Sequence, residues 1–131
     1  KLLEQDGNIR LVIKEFPILG EESMISSRFA IATHMVAGDD AYKQVHDALL
    51  DFSGELGEVA LRRLADGLSL DADAILERMN SGEVSEVISK NRALAQQLQI
   101  NGTPTFVLGK ELLRGYLPAD QMELIVEEQR G

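Results

Sequence analysis

The run Asn101-Gly102-Thr103-Pro104-Thr105-Phe106-Val107 constrains the fold of this chain more than any other. A polar turn containing glycine leads into a proline, and the proline opens an apolar stretch predicted as a strand over Thr105 to Leu108. Proline has no N–H to give to a sheet ladder, so it belongs at the first position of a strand or on an edge. X-Pro is also the one place where a cis peptide is cheap, and a cis Thr103–Pro104 bond leaves backbone groups facing outward. On sequence mechanics alone, an ordinary strand-entry turn accounts for the same residues. Asn101-Gly102-Thr103 fits the N-glycosylation pattern as well, but the proline that follows disfavours modification, and a tight turn is the expected use.

The 131 residues contain no cysteine, which excludes disulfides, thiolate metal sites and thiol catalysis within the chain. A chain of this length buries a single core. No window reaches the roughly 18 uninterrupted apolar residues of a membrane helix. Thirteen basic residues against 22 acidic ones give a net charge of −9, which makes nucleic acid a poor partner. Lys1 to Gly7 lacks the long apolar stretch of a signal peptide and reads as the last turns of a helix that begins upstream and ends at Gly7.

Ile9 to Phe16 is predicted as a strand, its central Leu11-Val12-Ile13 apolar on both faces as in a covered parallel sheet. Pro17-Ile18-Leu19-Gly20 ends it. From Glu21 the period becomes helical. Ile25, Phe29, Ala32 and Val36 share one face, and Gly38 stops that helix. Ala41, Val45, Ala48, Leu49 and Phe52 form a second stripe, terminated by Ser53-Gly54. A third helix over Glu58 to Asp66 turns Val59, Ala60 and Leu64 inward and ends at Gly67. Asp71 caps a fourth carrying Ile75, Leu76 and Met79. A fifth, Glu83 to Gln99, buries Val84, Val87, Ile88, Ala95 and Leu98. Thr105–Leu108 and Glu111–Arg114 are joined by a two-residue turn with Gly109 first. Phe106 and Val107 are expected in the central sheet. Pro118 fits the first turn of a last helix whose apolar face is Met122, Ile125 and Val126.

The strand ending Glu15-Phe16-Pro17-Ile18-Leu19-Gly20, the helical stretch after it, Asn91-Arg92-Ala93-Leu94-Ala95 and the Gly102-Thr103-Pro104 run with Phe106 together resemble the DsbA family of thiol-disulfide oxidoreductases over nearly the whole chain. The resemblance implies an α/β, thioredoxin-like fold with an inserted helical domain. Residues 1–20 and 89–131 form the thioredoxin-like part and 21–88 the insertion. It also implies a first strand and first helix, with Cys-x-x-C at their junction, before anything in this sequence. That strand would lie between the equivalents of Ile9–Phe16 and Thr105–Leu108, so the chain is expected to be truncated. By the same resemblance, the substrates are proteins or peptides bearing thiols or disulfides, and the location is periplasmic or otherwise extracytoplasmic. No cofactor is expected. Thr103 is assigned to binding the backbone of an extended substrate and Pro104 to setting the loop's shape. Without Cys-x-x-C the chain has no catalytic residue and is expected to be redox-inactive. A non-catalytic thioredoxin-like module that binds a peptide or protein is the alternative, and a glutathione-linked transferase of related fold stands third.

Other chemistry is poorly supported. His34 and His46 lie on different predicted helices without a clear third ligand, so no metal site is expected. Glu21-Glu22 and Glu127-Glu128 are adjacent pairs whose side chains diverge on a helix, which makes them solvated faces. Neither a nucleophile-elbow serine nor a glycine-rich phosphate loop occurs.

Overall fold

A computed structural model describes residues 2–18 and 20–131. Lys1, placed above in the opening helical turns, and Leu19, placed in the turn after the first strand, lie outside these. The order is α1 (Leu2–Asp6), α2 (Glu21–Asp51), α3 (Glu58–Gly67), α4 (Ala72–Arg78), α5 (Gly82–Gln97), β1 (Thr105–Leu108), β2 (Glu111–Arg114) and α6 (Ala119–Arg130). The chain divides into two compact units, residues 15–94 and residues 1–14 with 95–131.

The unit over 15–94 is helical. Glycine 38, with φ 89° and ψ −170°, breaks α2 into two helical halves, because that backbone region is open to glycine and scarcely to any other residue. Five consecutive residues of the first half, Phe29 to Thr33, are buried, so that half is enclosed on all sides there. The core joins Phe29, Ile31, Val45, Leu61, Ile75, Val84 and Ile88 from α2 to α5. Each such side chain contributes about 1.5–3 kcal/mol of burial. Thr33 is buried without cost to its hydroxyl, which donates to the Phe29 carbonyl at 2.9 Å. Asp71 caps α4 by accepting from the Ala74 N–H at 3.1 Å.

Several expectations need correction. The fully buried residues of α3 are Leu61 and Ala65, with Leu64 packed against the same core as expected, while Val59 is 67% exposed. Apolar residues at 59, 60, 61, 64 and 65 define two overlapping faces, and tertiary packing selected the later one. Val36 and Leu98 lie partly in solvent. Helix α3 does end at Gly67, and its closing turn puts Ser69 in the left-handed position: the Leu70 N–H reaches the Ala65 carbonyl at 2.9 Å and the Ser69 N–H reaches Asp66 at 3.0 Å, a Schellman closure.

The other unit holds α1, the hairpin and α6. Strands β1 and β2 pair antiparallel with Thr105 opposite Arg114 and Leu108 opposite Glu111. Gly109, at φ 58°, opens the turn, and the Gln129 amide oxygen on α6 accepts from the Lys110 N–H at 2.7 Å. A side chain at 109 would run into that same amide. Met122 and Val126 bury one side of α6.

The predicted strand over Ile9–Phe16 is not one. Residues 8–18 carry no regular secondary structure, and Leu11 and Val12 are 55% and 57% exposed. A β-rich sequence becomes a strand only beside a partner ladder, and the one ladder among the described residues is β1 with β2. Val107, expected inside a central sheet, is 54% exposed for the same reason: its sheet has two strands.

Candidate functional site

Helix α5 ends in a second Schellman closure. The Ile100 N–H bonds to the Ala95 carbonyl at 2.8 Å, and Gln99 takes the left-handed position at φ 56°. The chain then turns through Asn101 and Gly102 into a cis Thr103–Pro104 peptide and enters β1. Three bonds hold this loop. Arg114 Nη1 donates to the Gln99 carbonyl at 2.9 Å, Thr105 Oγ1 donates to the Gly102 carbonyl at 2.8 Å, and the Gly115 N–H donates to the Pro104 carbonyl at 3.0 Å. Thr103 and Pro104 are exposed. Neither the N–H nor the C=O of Thr103 has a partner among the described residues. Unpaired main-chain groups held at a fixed orientation are what an extended peptide needs to dock as an added strand.

The two histidines do meet, through Tyr42. His34 packs edge-on against the Tyr42 ring at 5.6 Å between centroids, and His46 stacks on it at 5.8 Å with planes 17° apart. The Tyr42 hydroxyl donates to Glu15 Oε2 at 2.9 Å, and His46 Nδ1 lies 4.0 Å from that oxygen. Burial first, then the Glu15 carboxylate, push the Tyr42 hydroxyl far above the ordinary phenol value. Asn91 Nδ2 holds the Glu15 carbonyl at 2.9 Å. The cluster was not read from the sequence, although Tyr42 and His46 stand at i, i+4. Among the described residues no three His, Cys, Asp or Glu side chains are placed to hold a metal. Glu21 and Glu22 lie exposed in the first turn of α2, and Glu127 pairs with Arg130 at 2.8 Å. No sulfur nucleophile exists in the chain to stand beside the proline loop.

The profile of the DSBA-like thioredoxin domain matches residues 1–128. The chain belongs to that family. Among solved structures, a thioredoxin-like oxidoreductase from Silicibacter pomeroyi shares 36% identity, with a TM-score of 0.87 over 98% of this chain and 73% of that one. The thiol-disulfide exchange protein alpha-DsbA2 from Wolbachia pipientis shares 25% identity, with a TM-score of 0.86 over 96% of this chain and 68% of that one. A curated relative, the Na(+)/H(+) antiporter NhaA 1 of Salinispora arenicola, is 31% identical over 107 residues. Those residues are 81% of this chain and 16% of the antiporter, so the likeness is to a small part of that protein. Among the described residues no helix is long and apolar enough to cross a membrane. The thioredoxin-like DsbA fold is present here in mostly helical form, with a small two-stranded sheet.

Proposed function

We propose that this chain is the substrate-presenting part of a DsbA-like protein thiol-disulfide oxidoreductase, and that it is redox-inactive by itself. The observation that carries this reading is the exposed Thr103 backbone, unpartnered beside Pro104 and held from three sides. In the parent reaction a thiolate attacks a disulfide sulfur. One S–S bond forms as another breaks, and the departing thiolate takes up a proton. No residue here supplies either sulfur. Thr103 would bind the substrate main chain and Pro104 would keep the loop's shape, delivering the substrate sulfur to cysteines encoded outside these residues. Residues 1–20 and 89–131 serve as the thioredoxin-like part and 21–88 as the helical insertion. Family resemblance supports protein or peptide substrates and an extracytoplasmic, periplasmic location.

The test compares this chain with the full product of its reading frame in refolding of a reduced, disulfide-dependent protein. The chain alone is expected to be inert and the full product active. A full product without a cysteine pair, or activity from the cysteine-free chain, overturns the reading. A cysteine-free full product that still binds peptides would instead establish the non-catalytic binding module. That alternative is favoured by the same exposed loop and by the absence of cysteine.

A further inference from the structure

We propose that Thr105 and Arg114 are positioning residues for peptide recognition, with the Thr105 hydroxyl setting the direction of the Thr103 N–H. This rests on the reading of Thr103 as the substrate-binding residue. The Gly102 carbonyl and the Thr103 N–H belong to one peptide group. The only cis bond among the described residues is the next one, Thr103–Pro104, so that group is trans and its C=O and N–H point opposite ways. Thr105 Oγ1 reaches back three residues and donates to the Gly102 oxygen at 2.8 Å. Tying that oxygen toward the loop's interior aims the Thr103 N–H away from it, toward an incoming strand. A serine at 105 preserves the hydroxyl, whereas valine keeps the shape and loses the donor.

Arg114 performs the matching task at the loop's other root. It stands opposite Thr105 in the hairpin register, and its guanidinium donates to the carbonyl of Gln99, the left-handed residue that ends α5. The loop is therefore fastened where it leaves the helix, where it turns, and where Pro104 accepts from Gly115. The two side-chain fasteners come from directly opposed residues of one strand pair. A shift in hairpin register would release the Arg114 fastener, whereas the Thr105 bond spans three residues of its own strand and does not depend on the pairing. A peptide binding by strand addition needs its hydrogen-bonding partner aligned before it arrives, since ordering a loose loop on binding weakens affinity.

The experiment is an NMR titration of the whole chain with acetyl-Ser-Val-Ser-Val-Ser-amide, an uncharged extended peptide, following the Thr103 amide resonance. Wild type is compared with Thr105→Val, Thr105→Ser, Arg114→Met and Arg114→Lys. Resonances of α2 to α4 report whether each variant is folded. The expected result is a roughly three- to tenfold rise in Kd for Thr105→Val, the weight of one hydrogen bond. Thr105→Ser is expected to restore affinity to within about twofold, on the same scale. Arg114→Met should weaken binding and Arg114→Lys recover part of it, which keeps the test decisive if Thr105→Val does not fold. If wild type binds and the Val and Met variants bind equally well, the positioning role is wrong while the function of Thr103 stands. Serine failing to rescue a weak valine variant also overturns it. A wild-type chain that does not bind the peptide removes the reading of Thr103 itself, and this inference with it.

Discussion

The Tyr42 hydroxyl donates to Glu15 Oε2 at 2.9 Å, closing a helix residue onto a carboxylate 27 positions earlier in the chain. Tyr42→Phe removes the donor and leaves a mostly covered carboxylate with the His46 imidazole 4.0 Å away. The expected loss at pH 7 is about 1–2 kcal/mol in urea unfolding. The pH dependence has a definite sign. Burial and Glu15 raise the folded-state pKa of Tyr42 above its unfolded value near 10, so the folded form favours the protonated phenol. That stability is fully present below about pH 10 and is lost as pH climbs beyond it. The advantage of wild type over Tyr42→Phe should therefore shrink between pH 9.5 and 11, on the order of one kcal/mol per pH unit. A constant gap across that range contradicts the assignment.

A second long-range pair behaves oppositely. Arg130 grips Asp6 with both terminal nitrogens, at 2.6 and 2.9 Å, and one of them also donates to the Asn8 carbonyl at 2.9 Å. The Arg130 hydrogen bonds, ahead of the smaller effects, hold the Asp6 carboxyl below the usual aspartate value. For an acid with a lowered folded pKa, the stabilisation exists above the unfolded value near 4 and disappears as pH falls through the folded one. Arg130→Met should be less stable than wild type at pH 7, and the two melting curves should converge below about pH 4. Equal melting temperatures at neutral pH would show that α1 is not held through this pair.

Ser69 and Gln99 both occupy left-handed positions at helix ends that glycine fills without a steric penalty. Among the described residues neither side chain makes a hydrogen bond, and both Schellman closures are made by the backbone alone. Ser69→Gly and Gln99→Gly should each stabilise the chain by roughly 0.5–1 kcal/mol, the relief of the left-handed strain less the extra freedom of glycine when unfolded. Differential scanning calorimetry reads this as a rise of a few degrees in Tm. A fall in Tm for both variants would mean that the side chains support their turns.

Sequence reading succeeds where the signal is local. The hairpin was legible to the residue because its signal is local: two short β-rich runs, a glycine whose positive φ the turn requires, and a proline at the strand entrance. The break at Gly38 and the cap at Asp71 follow from similarly local chemistry. Whether Ile9–Phe16 forms a strand depends on a neighbour that its own residues do not specify, so β propensity alone misplaced it. The Schellman ends at Ser69 and Gln99 lack the glycine that announces such turns. The turn through Thr103 and Pro104 was legible as a motif, but the Arg114 bond to the Gln99 carbonyl was not, since it depends on hairpin register and on where α5 stops.

Arg28 shows how one side chain organises the far end of another helix. Its Nε donates to the Met79 carbonyl at 2.7 Å, Nη2 to the Ser81 carbonyl at 3.2 Å, and Nη1 to Ser85 Oγ at 2.9 Å. Met79 follows α4 directly, so a fixed positive charge meets the negative end of that helix and satisfies a carbonyl left over by its termination. Three bonds in three directions need the planar fork of a guanidinium; an ammonium offers one compact charge and does not span them. Arg28→Lys should cost about 1–2 kcal/mol and Arg28→Met about 2–3, measured by urea unfolding. Hydrogen exchange should localise the loss, with amides of α4 and the start of α5 losing protection before those of α6. Equal stability of the lysine variant and wild type would mean that charge, rather than the three-way geometry, holds the α4–α5 turn.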